Sequence, residues 1–242
     1  MRIALVILIC FFSITKTISQ GTYFNNLYNY NDFSPALAVI LYENDYIIYG
    51  VTNDSIYNSV SAYIAKIDSN GILKYWKVIS DPYKYYWAGY RGAGLDVVGG
   101  TGFIGAGCVQ DSTRTNAILY RFNSEGDTLW TKEYPDTINK MWTQFWDCDT
   151  TFHGGFVMSG NHTVDPYTVN VFLVKADSIG NEQWRGEYGY QGLISHGYSV
   201  VQTPDKGYLL GCYRYVAGND DSGDPYLDQF ILNNGYDCDA EL

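Results

Sequence analysis

The stretch KIDSNGILKYW, from Lys66 to Trp76, returns three times in altered form: RFNSEGDTLW to Trp130, KADSIGNEQW to Trp184, and FILNNG to Gly235. Its glycines, Gly71, Gly126, Gly180 and Gly235, lie 55, 54 and 55 residues apart. A second landmark keeps step with it: NDYIIYG to Gly50, GTGFIGAG to Gly107, HGGFVMSG to Gly160, DKGYLLGC to Cys212. Two landmarks sharing one period through a chain are the mark of a repeat architecture.

Each repeat reads as strands. PALAVILYE, GLDVVGG and GYSVVQT precede the second landmark; SAYIAKID, NAILYRF and VNVFLVKA follow it. These β-branched and aromatic runs are short and bounded by Gly, Asn, Asp and Ser. No long window keeps a helical period, and 25 glycines in 242 residues oppose helices. Asp68-Ser69-Asn70-Gly71 reads as a hairpin turn, with Asp bonding nearby backbone and Gly taking the left-handed position. Asp68 and Asp177 become Asn123 and Leu232 in the other repeats, which a turn tolerates and a catalytic acid does not. The returning stretch is therefore structural. Trp130 and Trp184, four residues past their glycines, are expected to pack between sheets.

Four antiparallel strands per repeat of this length make the blade of a β-propeller. The expected fold is all-β, with about four four-stranded blades over residues 30–79, 80–134, 135–188 and 189–242. GTYFNNLY, Gly21 to Tyr28, reads as a spare strand that closes the ring on the last unit. The alternative is a piece of a larger propeller.

MRIALVILICFFSITKTISQ has Arg2, then an apolar run from Ile3 to Ile14, then a polar stretch. This is the layout of a secretory signal peptide over residues 1–19, with cleavage before Gln20. The expected location is outside the cell or on its surface, without membrane insertion after cleavage. Losing Arg2 and Lys16 moves the net charge from −11 to −13. Such a surface repels nucleic acid and anionic membrane. Four cysteines remain, Cys108, Cys148, Cys212 and Cys238, with no metal-ligand spacing. They allow three disulfide pairings or burial as small apolar side chains, and the sequence chooses none.

HGYSVVQTPDKGYLLGCYR … DQFILNNG, with FLVKADSIGNEQWRGEYG before it, resembles the repeats of secreted Bacteroidetes-type propellers. Those run loosely as S-V-x-x-T-x-D-G-G-Y-x-x-x-G, then L-x-K-x-D-x-x-G-x-x-x-W-x-x-x-Y-G. The resemblance spans nearly all of the chain after the leader, strongest from Gly94 onward. It implies a repeat type and an exported protein, not an activity. Sialidase-type Asp boxes and quinoprotein propellers place their Asp and Gly at other spacings than Asp68 and Gly71.

Strand alternation puts the two glycine turns at one end of each unit. The other end takes the crossovers SDPYKYYWAGYR (Ser80 to Arg91), PDTINKMWTQFW (Pro135 to Trp146) and GYQGLISHG (Gly189 to Gly197), and the loops at Asp54, Asp111 and Asp165. Longer irregular loops concentrate binding residues. Tyr86, Trp87, Trp142 and Trp146 are the candidate platforms for a sugar ring or protein partner. Asp220, Asp224 and Asp228, in NDDSGDPYLD, are a weak calcium candidate that lacks the EF-hand order; no other cofactor is expected. His153, His162 and His196 lie in unrelated places, and no GxSxG or HExxH motif occurs. The leading expectation is a non-enzymatic propeller binding a protein or polysaccharide. The alternatives are a glycan-active hydrolase or lyase using paired carboxylates, and a ligand-free spacer.

Overall fold

The computed structural model describes residues 26–28, 33–89, 94–215 and 229–232, the last four and 213–215 by backbone alone. The described residues form sixteen strands and no helix. The first sheet holds β1 (Ala36–Tyr42), β2 (Asp45–Asp54), β3 (Ser59–Ile67) and β4 (Leu73–Ile79) in that order. The second holds β5 (Tyr85–Ala88), β6 (Leu95–Val97), β7 (Phe103–Gln110), β8 (Thr115–Phe122) and β9 (Thr128–Tyr134), with β5 and β6 pairing in tandem along β7. β10 (Thr143–Thr150), β11 (Phe156–Asp165), β12 (Thr168–Ala176) and β13 (Glu182–Tyr188) form a third antiparallel set. One parallel bridge, Val169 to Ile194, joins it to β14 (Ile194–Gln202), β15 (Tyr208–Tyr215) and β16 (Gln229–Leu232).

The inner strands β2, β3, β7, β8, β11 and β12 are buried on both faces, which is why they read as unbroken apolar runs rather than alternating ones. Along β7, Phe103 joins a core with Tyr49, Tyr120 and Phe122 between the first two sheets. Its neighbour Ile104 joins Leu119, Phe145, Met158 and Phe172 between the second and third. Val157, Leu173, Val200 and Leu210 fill the next interval. Each sheet thus packs on its successor. Among the described residues, no packing of similar extent joins β14–β16 to β1–β4.

The returning stretch is one turn built three times. Asp68 Oδ1 accepts the N–H groups of Asn70 and Ile72, Asn123 Oδ1 those of Glu125 and Asp127, and Asp177 Oδ1 those of Ile179 and Asn181. Gly71, Gly126 and Gly180 take φ of 80°, 78° and 80°, which only glycine adopts cheaply. The ring four residues on then packs on the next turn: a Cβ at Gly126 would lie 2.5 Å from Tyr75, and one at Gly180 2.8 Å from Trp130. Asn26 and Tyr28 donate to the Gly71 carbonyl at 2.9 and 2.5 Å, so residues 26–28 rest on the first turn, without strand pairing.

The second landmark has a different cause. A Cβ at Gly50, Gly107 or Gly160 would run into the carbonyl oxygen of Pro35 just before β1, of Trp87 on β5 or of Gln144 on β10. The register slips opposite Gly50, Gly160 and, in the last unit, Cys212: between Ala36 and Ala38, Phe145 and Asp147, and Gly197 and Ser199. Such bulges bend a strand and re-aim its side chains.

Aspartates tie together the first strands of the second, third and fourth units. Asp147 accepts N–H groups from Gly94 of the second unit and Val200 of the fourth, each at 2.9 Å. Asp96 accepts from Thr150 at 3.0 Å, and Asp149 from Gln202 at 3.0 Å. Burial raises the Asp147 carboxyl above the usual range despite its three N–H donors, from Val200, Gly94 and Cys148. Asp149 is raised by burial against the Gln202 N–H, with the Asp96 carboxylate beside it adding to the rise.

The expected crossover loops are corrected: Tyr85–Ala88 belongs to strand β5, residues 143–146 to β10 and residues 194–197 to β14. Gly89, just after β5, and Gly94, just before β6, pass close to the Trp146 carbonyl.

Candidate functional site

Alternation along β5 and β10 decides which aromatics meet. Along β10, Thr143 and Phe145 are buried, while Gln144, Trp146 and, just before the strand, Trp142 line the cleft on the side of the second sheet. On β5, Trp87 stands opposite Cys108 of β7 and faces them. Trp87, Trp142 and Trp146 line one cleft between the second and third sheets, with Ala88, Cys108, Gln110, Thr115, Gln144 and Phe145. Its volume is about 370 Å³. That falls in the lower part of the range for ligand pockets, roughly 300–1,000 Å³. Trp87 is 36% exposed and Trp142 54%. Trp146 backs onto Tyr198, with ring centroids 4.6 Å apart, and onto His196 at 5.3 Å.

Tyr86 does not join them. One residue from Trp87, it points to the opposite side of β5 and packs edge-on against Tyr120 at 6.3 Å in the first core. Gln110, Thr115 and Gln144 are the cleft residues that composition did not single out. The Trp142-x-Gln144-x-Trp146 alternation is a sequence signal for Gln144 alone; Gln110 and Thr115, on β7 and β8, have none.

No lining residue is Asp, Glu, Lys, Arg or His. The Cys108 thiol is pushed up to about 12 by burial, so it stays protonated and acts as a small apolar group. Cys148 is buried and also carries a free thiol. Cys238 lies outside the described residues, as do the calcium candidates Asp220, Asp224 and Asp228. Among the described residues, no group of three or more His, Cys, Asp or Glu is placed to hold a metal ion. None of their helices could cross a membrane, since they form none.

The loops at the same end are held by their own aspartates. Asp54 Oδ1 accepts from Ile56 N–H, Asp111 Oδ1 from Thr113 and Arg114, and Asp165 Oδ1 from Tyr167. These are turn-forming carboxylates.

A second hollow of about 340 Å³, beside β11 and β13, is charged. The buried His162 lies there with Nε2 3.2 Å from Asp136 Oδ2 and Nδ1 2.9 Å from Glu187 Oε1. Arg185 pairs with Glu182 and donates to the Pro135 carbonyl at 3.1 Å. Three distant sequence segments meet here, and no local motif marks them.

No family model matches the chain, and no curated protein matches it. A crystal structure of a protein of unknown function from Bacteroides caccae is similar to it, with a TM-score of 0.47 and 9% identity. The similarity covers 85% of this chain and 64% of that one, so the chain spans less than two thirds of that protein.

Proposed function

We propose that this is an exported, non-enzymatic β-propeller that binds a neutral polysaccharide through the Trp87–Trp142–Trp146 cleft. The observation that carries the reading is the composition of that cleft. Indole faces present broad apolar area to the C–H face of a sugar ring. Gln110, Gln144 and Thr115 supply neutral donors and acceptors for hydroxyl groups at its rim. A few placed polar groups in an aromatic pocket are the usual form of a small-ligand site. The absence of ionisable side chains other than the Cys108 thiol from the lining, on a chain of net charge −11, favours an uncharged ligand over a polyanion. Four repeats of about 55 residues, sheets stacked in chain order and the leader-like first 19 residues support the propeller and export parts of the reading.

A hydrolase or lyase would need carboxylates facing the bound sugar, and the cleft lining supplies none. Affinity electrophoresis through gels of neutral glucans, mannans and galactans, beside polygalacturonate, tests the proposal. Retardation by at least one neutral polymer, abolished by Trp87→Ala, is the expected result. Migration unaffected by every neutral polymer sinks it.

A further inference from the structure

His162 is the one buried side chain of the charged hollow whose ring nitrogens both face carboxylates, Asp136 at 3.2 Å and Glu187 at 2.9 Å. Nε2 is within hydrogen-bonding geometry of Asp136, while Nδ1 lies at ion-pair distance from Glu187 without hydrogen-bond alignment. A neutral imidazole would set an unprotonated nitrogen beside one of the two carboxylates, so the pair of contacts favours the imidazolium. Other groups surround the ring on three strands. β10 presents Thr143 opposite His162, and β12 presents Asn170 and, 5.8 Å away, the Phe172 ring. On β13, Arg185 lies over the Phe172 ring at 5.4 Å, is paired with Glu182, and its charge also acts on Glu187 and Asp136.

The contact to Asp136 matters because that carboxylate organises the second crossover. It accepts the N–H groups of Ile138, Asn139 and Met141 at 2.9, 3.1 and 3.2 Å. The crossover ends at Trp142, whose carbonyl accepts the N–H of Thr163, the residue after His162, at 2.9 Å. Its two ends are thus fastened to adjacent residues of β11, one by a charged side chain and one by backbone.

We propose that His162 is a positioning residue for the cleft: held as an imidazolium between Asp136 and Glu187, it fixes the 136–141 turn and thereby sets where Trp142 stands. Its functional meaning rests on the cleft being the binding site, but the positioning itself does not. Burial opposes charge on His162, and the contacts with Glu187 and then Asp136 outweigh it, raising its pKa above the ordinary histidine value. Deprotonation removes one of the two contacts and slackens the crossover.

The test is an NMR titration of the ligand-free protein. The His162 ring signals are assigned with His162→Gln and the Trp142 indole N–H with Trp142→Phe. His162 is expected to titrate above about 6.5, the ordinary histidine value. The Trp142 signal is expected to shift with the same midpoint, while those of Trp130 and Trp184 do not. Glu187→Gln, exposed enough to leave the fold intact, should lower both midpoints together by about one pH unit or more. A Trp142 signal indifferent to the His162 titration overturns the proposal, as does a Glu187→Gln variant that moves the His162 midpoint alone. Coupled midpoints in a protein that captures no neutral glycan would uphold the positioning and remove the cleft reading.

Discussion

The two ends of the sheets are built by different rules. At the turn end, Asp68, Asn123 and Asp177 make the same pair of hydrogen bonds to the same backbone positions, and Tyr75 and Trp130 pack on the next glycine in the same way. At the loop end the units diverge. Tryptophans of two units converge on one cleft, and His162 gathers two carboxylates that have no counterpart elsewhere among the described residues. Repetition marks what the fold needs in every unit. Departure from repetition marks where one unit does something the others do not.

That contrast breaks most visibly at the turn end. Trp130→Ala strips the ring from Gly180 and Phe156, where the centroids are 6.1 Å apart. A loss of about 3 kcal/mol in chemical denaturation is expected, as for other aromatic truncations between packed elements. Gly107→Ala drives a methyl group into the Trp87 carbonyl and should cost about 2 kcal/mol by overpacking. Because that carbonyl belongs to a cleft residue, this variant should also weaken glycan capture. Asp177→Ala removes the acceptor of two N–H bonds in an exposed turn, for about 1 kcal/mol by the same denaturation.

Acid should separate the two ends by sign. The Glu187 carboxyl is held below the usual range by His162, and that of Asp136 is held there too: burial raises it, but the Asn139, Ile138 and Met141 N–H groups and His162 outweigh the rise. Their stabilisation is present above the ordinary carboxylate pKa and is lost as pH falls through the lowered folded values. Asp147 and Asp149 are raised, so their contribution is present below the ordinary value and lost as pH rises through the folded one. Between about pH 4 and pH 6, Asp149→Asn should therefore gain on the wild type as pH rises, and Glu187→Gln should fall behind it. Denaturation midpoints across that range read both slopes.

The turn end was legible in the sequence because its causes are local: an Asx side chain bonds two and four residues on, and glycine supplies the left-handed φ. The second landmark was visible as a pattern, but its reason was not. Gly107 and Gly160 are required by carbonyls of a different strand, which no window of sequence contains. At the loop end, three of the four expected aromatics meet. Tyr86 was grouped with Trp87 because its stretch read as a loop; as strand β5, adjacent residues must part. Asp136, His162 and Glu187 come from a crossover and two strands, so only the folded chain brings them together.

The most direct test measures stability and capture together in Trp142→Ala and Trp130→Ala. Trp142→Ala should lose neutral-glycan capture while its stability stays within about 0.5 kcal/mol of the wild type, as for a surface side chain. Trp130→Ala should lose stability and, under conditions where it remains folded, keep capture. If Trp142→Ala unfolds as readily as Trp130→Ala, or binds as the wild type does, the division between a structural end and a binding end is wrong.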